Sequence, residues 1–214
     1  MHMKTKAKYI FAALTALLCA VSFTGCTADH TPPREHGSFK AQADHMMRHF
    51  SDPKLLATVN GHKITQVDLD SYGIDGHYHT TEELVRYYIT SDYAEKAGLQ
   101  PSARDAKWRA EILNGMRNDS ELTDAYCRET YGVPLEVVIS ISLKRFDQIA
   151  MHAAYTEAVI DEISGGSCPE KHPQLAEVYE QYLQDKTSIS AFRAVEEAHY
   201  EMIAAGYDVK IYAW

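Results

Sequence analysis

The sequence predicts a mostly α-helical domain closed by a small antiparallel β-sheet. Three observations lead there. Two Ser/Thr-x-x-acid boxes, Thr80 to Glu83 and Ser102 to Asp105, each precede a run with helical spacing. A long apolar periodicity runs from Leu135 to Ile163. Short β-patterned runs stand far apart in the chain, at 55–59 and 209–212.

Residues 1–25 read as a signal peptide. Lys4, Lys6 and Lys8 precede an uncharged apolar run over 9–23, and the run closes on Phe23-Thr24-Gly25-Cys26. The run is short for a spanning helix, which needs roughly 20 apolar residues. The closing tetrad resembles the lipobox of bacterial lipoproteins, with Phe23 where an aliphatic residue is usual. That resemblance implies cleavage before Cys26, lipid on its thiol, and a chain anchored to the extracytoplasmic face of the cell membrane. Loss of the three lysines takes the formal charge from −9 to −12. An acidic surface argues against nucleic-acid partners and gives no attraction to anionic lipid, so the lipid must do the holding.

Residues 26–50 read as a polar tether with Pro32-Pro33, followed by a possible short helix over 39–50. The domain proper is expected over 51–214, a length that suits one domain. A strand at 55–59 meets Asn60-Gly61, the pair that best tolerates positive φ in a hairpin turn. Ile64-Thr65 then pairs back or leads into a short helix with Val67 and Leu69, and a glycine-bearing loop spans 71–79.

Five helices follow. The first starts near Thr81, carries Leu84, Val85, Tyr88, Ile89 and Tyr93, and stops before Gly98. The second puts Ala106, Ala110, Leu113 and Met116 on one stripe. A short helix over 121–131 is closed by Gly132, and Pro134 suits the start of a long helix to about Ile163. Residues 164–173 read as a loop. The last helical region runs through Tyr179 and Tyr182, breaks near Thr187, and continues through Phe192, Val195, His199 and Ile203 to Gly206. The terminal run alternates Val209 and Ile211 with Lys210 and Tyr212, as a strand with one buried face. Its natural partner is the 55–59 strand, because a lone hairpin is marginal. Cys127 and Cys168 are open to a disulfide in an exported chain, or to remaining as separate thiols.

The run 56–65, Leu-Ala-Thr-Val-Asn-Gly-His-Lys-Ile-Thr, resembles the opening of the SurA/PrsA group of extracytoplasmic folding factors. Residues 94–99 and 102–105 are similar to that group's helix end, glycine turn and acidic helix start. Tyr131-Gly132 before a long helix, and a final helix with a terminal strand, keep the same order. The resemblance implies a SurA N-terminal-like chaperone domain. Full members insert a parvulin prolyl isomerase domain between the long and final helices. Here that gap is residues 164–173, whereas a folded domain needs about 50 residues or more. The resemblance therefore implies the chaperone part without isomerase activity, a non-enzyme with no catalytic residues to carry over.

The residues agree with that reading. No nucleophile elbow, P-loop, Rossmann glycine pattern or metalloprotease helix occurs. A holder of unfolded or partly folded exported proteins requires no cofactor. Tyr87, Tyr88, Tyr93 and Trp108 are the expected peptide-binding residues, with Tyr87 and Trp108 off their helices' apolar stripes and suited to an exposed patch. Two rival readings stand beside it. A metal-handling lipoprotein would use the histidines, His77 and His79 first, with His30, His36, His45, His49 and His62 upstream. A dedicated interaction subunit would serve one envelope partner.

Overall fold

The hairpin forms where the sequence places it. In the computed structural model, which describes residues 38–72 and 79–212, β1 (Leu55–Val59) and β2 (His62–Thr65) pair antiparallel with Val59 opposite His62. Asn60 (φ 49°) and Gly61 (φ 80°) make the turn. Both central residues lie at positive φ, the geometry that matches the right-handed twist of the flanking strands. The predicted signal peptide, Cys26, His30, His36 and His77 lie outside the described residues.

The far end of the chain completes the sheet. β3 (Val209–Ile211) pairs antiparallel with β1, Thr58 opposite Lys210, in the order β2-β1-β3. Asn60 bonds it twice: its N–H donates to the Asp208 carbonyl and its side-chain oxygen accepts from the Asp208 N–H, both at 2.8 Å. The expected burial of Val209 and Ile211 does not occur; they are 36% and 46% exposed. β3 is a three-residue edge strand, and the buried positions of that pairing belong to Ala57 and Val59 on β1, both fully buried.

The helices begin where their capping chemistry directs. α1 (Phe39–Met46) is capped by Ser38, α2 (Gln66–Tyr72) follows β2 directly, and α3 (Thr81–Lys96) starts at a reciprocal box between Thr80 and Glu83. α4 (Ala103–Asn118) has the same device in Ser102 and Asp105. α5 (Asp124–Tyr131) ends on Gly132 in the left-handed conformation. α6 (Leu135–Gly165) is the long helix, closed by Gly166 at φ 82°. The expected loop over 164–173 is instead structured. α6 runs into it, a one-turn helix α7 (Cys168–Lys171) follows, and a 3₁₀ turn (Pro173–Leu175) leads into α8 (Ala176–Gln184). α9 (Ile189–Ala204) then leads to β3.

Two hydrophobic cores share α6. One gathers β1, β2, α3, the C-terminal half of α6, α8 and α9 around Val59, Ile89, Val159, Ile163 and Val195. The other gathers α1, α4, α5 and the N-terminal half of α6 around Met46, Met116, Leu122 and Val138. The short helix expected near residues 39–50 is thus built into the second core, where Ala43, Met46 and Met47 are buried. Asp44 ties it to α5 by accepting from the hydroxyls of Tyr126 and Tyr131. Cys127 and Cys168 are free, buried thiols in different cores. Among the described residues, no helix is long and apolar enough to cross a membrane.

α4 departs from its expected phase. Ala106 and Ala110 are exposed, and the packed face runs through Trp108, Ile112, Leu113 and Met116. Alanine suits a helix on either side, because it loses no side-chain entropy there. The indole, in contrast, gains from burial, and it packs edge-on against Phe146 at 5.3 Å.

Candidate functional site

α3 and α4 both pack on α6, and a cleft of about 730 Å³ opens between them where the two cores meet. Its size falls in the roughly 300–1,000 Å³ range of ligand clefts. Tyr88 and Leu99 line it from the α3 side, Leu113 from α4, and Ile139, Leu143 and Met151 from α6. The rim carries both signs of charge. Arg109 makes a two-pronged pair with Asp147 (2.6 and 3.1 Å), and Arg117 reaches both oxygens of Glu136 (3.1 and 3.2 Å). These pairs join α4 to α6 along one side. Asp92 and Glu95 line the α3 side. Tyr207 and Lys96 both donate to Asp92, each at 2.6 Å, and these bonds outweigh the effect of burial and hold its carboxyl below the usual range.

Of the four expected peptide-binding residues, only Tyr88 lines this cleft, with its ring stacked on His62 at 4.5 Å. Tyr87 is not an exposed patch. It stacks on Tyr72 at 5.4 Å and meets His152 edge-on at 4.6 Å. α3 is packed on several sides, by the sheet, α2, α6 and α9, so a residue off its main stripe is still covered. Tyr93 turns elsewhere, edge-on to Tyr155 and His199. Trp108, also expected in an exposed patch, is half-buried against Phe146. The four therefore occupy four separate settings. His79 lies 3.6 Å from Glu83, beside the α3 cap.

A second constellation lies at the other end of α6. Gly166 reverses the chain, with the Ser167 N–H bonded to the Glu162 carbonyl at 3.1 Å, and α7 brings His172 back over Glu162. His172 Nε2 is 3.1 Å from Glu162 Oε2 and 3.2 Å from His199 Nε2 on α9. The two imidazole rings stand nearly perpendicular, at 87°. His199 is 2% exposed, and burial, with His172 next to it, lowers its pKa to about 4. Its Nδ1 is 3.0 Å from the Tyr155 hydroxyl. Lys171 donates to Glu162 Oε1 at 2.7 Å. Burial pushes the Glu162 pKa up, but Lys171 and His172 outweigh it and hold the carboxylate below its ordinary range.

Sequence reasoning missed this second cluster. Its members are ten and 27 residues apart on three elements and share no spacing motif. One signal was present: His199 occupies an apolar stripe position between Val195 and Ile203, and a buried imidazole needs polar partners.

Family models, curated proteins and solved structures were all searched with this chain, and none matches it.

Proposed function

We propose that this protein is a lipid-anchored extracytoplasmic chaperone or assembly factor of the SurA/PrsA kind, without isomerase activity, and that the cleft between α3, α4 and α6 holds segments of exported polypeptides. The cleft is the observation that supports the reading. An unfolded segment presents apolar side chains beside unpaired backbone groups. Leu99, Leu113, Leu143 and Met151 offer the first a partly buried apolar lining, and the charged rim offers the second donors and acceptors. Mixed apolar and weak polar contacts of this type select little for sequence, and methionine and leucine repack readily around different side chains. The closure of the domain by its terminal strand agrees with the fold the resemblance implies.

Suppression of aggregation of a chemically denatured client tests the reading. The wild-type chain should suppress it at near-stoichiometric ratios. The double variant Leu113→Glu/Leu143→Glu should need about tenfold more protein, because two carboxylates in the cleft would lose solvation on contact with apolar client groups. Both side chains also pack against the second core, so a circular dichroism spectrum matching the wild type is the control that the variant is folded, and Leu113→Ser/Leu143→Ser serves where it is not. Equal suppression by the variant, or none by the wild type, removes the proposal. For the anchor, Cys26→Ser should move the protein from the membrane to the soluble fraction. Retention on the membrane after that change would show that something other than lipid on Cys26 holds it.

A further inference from the structure

We propose that Glu162, His172 and His199 bind a zinc ion through Oε2, Nε2 and Nε2, with water as the fourth ligand. The three donor atoms all lie within 4.8 Å of one another. Tetrahedral zinc with bonds of about 2.0–2.1 Å places its ligand atoms roughly 3.4 Å apart. The His172–Glu162 and His172–His199 separations, 3.1 and 3.2 Å, are within a few tenths of an ångström of that spacing. The third pair, Glu162 Oε2 and His199 Nε2, lies within 4.8 Å, and rotation of the Glu162 carboxylate, the least buried of the three groups, closes it around an ion.

Hydrogen bonding through His172 Nε2 does not join all three groups at once. A ring nitrogen presents either one in-plane proton or one lone pair. His172 Nε2 faces two partners at bonding distance, Glu162 Oε2 and His199 Nε2. It can serve only one of them at a time with a linear bond. A cation at the centre accepts a lone pair from all three groups at once.

The surroundings are those of a metal ligand set. Tyr155 stands at His199 Nδ1, where it can accept the N–H of the tautomer whose Nε2 lone pair is free. Lys171 occupies Glu162 Oε1 and leaves Oε2 directed at the two imidazoles. Contacts like these fix ring orientation and donor basicity in metal sites. Glu162 and His172 side chains are 19% and 15% exposed, whereas His199 is buried, so an ion enters from the Glu162 side and a water completes its shell there. Two nitrogens and one oxygen form a borderline donor set suited to zinc. The ion would fasten the end of α6, the turn after α7 and α9 to one another. This site lies apart from the cleft and does not depend on the polypeptide-holding reading.

The test is calorimetric titration of the full chain in detergent with Zn²⁺ alone, alongside thermal unfolding with and without zinc. The wild type should bind one ion in the micromolar range or tighter, and its Tm should rise with zinc. His172→Ala and Glu162→Gln, both at partly exposed positions, should each weaken binding by about 100-fold and abolish the Tm rise. Tyr155→Phe should weaken it by roughly 10–100-fold, as loss of an outer-shell partner does. His79→Ala should bind as the wild type does. Absence of binding by the wild type overturns the proposal. So does unchanged binding by both ligand variants, or loss of binding in His79→Ala. Should His172→Ala fail to fold, Glu162→Gln decides the matter alone.

Discussion

Ile89→Ala should destabilise the domain by about 3–4 kcal/mol, more than any surface change in the molecule. Ile89 is 1% exposed on α3, inside the core that also holds Ala57, Val59, Val159 and Ile160. The truncation loses the transfer free energy of three carbons and leaves a void that helices anchored on several sides cannot close. Domains are stable by only about 5–15 kcal/mol, so the loss is a large share of the total. At this chain length it should appear as a fall in Tm of about 10 °C. Leu183→Ala, at a position 42% exposed, should stay within about 0.5 kcal/mol and serves as the control. The transition should remain single. α6 contributes Val138 and Ile139 to one core and Val159, Ile160 and Ile163 to the other, so neither core can melt without breaking the helix that supports its partner. Thermal scans by far-UV circular dichroism and by tryptophan fluorescence check both points. Separate midpoints for the two probes would refute the single transition, and a Tm within a degree or two of wild type would refute the burial argument.

The parts of the fold that were legible in the sequence are those where local chemistry leaves few choices. Asn60-Gly61 fixes a two-residue hairpin, and the β1–β2 register follows from it as far as Ala57 opposite Ile64, beyond which it shifts by one residue. Thr80 with Glu83, and Ser102 with Asp105, satisfy orphan N–H groups that any helix start must satisfy, so a start beside each box was readable. The pairing of β3 with β1 was also inferable, because residues 209–212 have β-branched and aromatic content and a two-stranded sheet lacks a third strand.

Burial was less legible than secondary structure. Which face of α4 turns inward depends on the position of α6 and on Phe146, information absent from residues 103–118 themselves. Two alanines therefore suggested a stripe that Trp108 and Ile112 displace. For Val209 and Ile211, alternation correctly indicated a strand but not whether any helix would cover that edge. Residues 164–173 illustrate a third limit. Gly165-Gly166 suggests the loop, and Gly166, at positive φ, does end the long helix. The helical turn after it, and the return of His172 onto Glu162, come from tertiary packing of Cys168 and Leu175 into the core. Neither the cleft nor the Glu162/His172/His199 cluster has a linear signature, because each is assembled from elements that meet only after the helices pack.

Acid should weaken the protein between about pH 6.5 and pH 4, and His152 and His199, both lowered by burial to a pKa of about 4, should share that loss. His152 Nδ1 lies 2.8 Å from Thr90 Oγ1, which also lies 2.8 Å from the Arg86 carbonyl. The threonine hydroxyl has one proton. With that proton directed at the Arg86 carbonyl, the imidazole Nδ1–H donates to Oγ1, which places a ring proton on Nδ1. Tyr87 closes over the ring edge-on at 4.6 Å. Burial, and then the positive charge of Arg86, push its pKa from 6.5 down to about 4. In the unfolded chain the same imidazole takes up a proton near pH 6.5. As pH falls below that value the unfolded state binds a proton that the folded state refuses, so stability declines until the folded pKa is reached. A gap of this size corresponds to at most about 3 kcal/mol at 1.36 kcal/mol per pH unit. Urea unfolding at pH 7 and pH 4.5 measures the loss, and His152→Gln removes the titrating group while retaining a hydrogen-bond donor. The variant is expected to be less stable than wild type at pH 7, where it packs less well, yet to lose markedly less on acidification, so that the two stabilities converge at low pH. Parallel losses in the two proteins would place the acid sensitivity on other groups and show that the folded domain accepts a charged imidazole at this position.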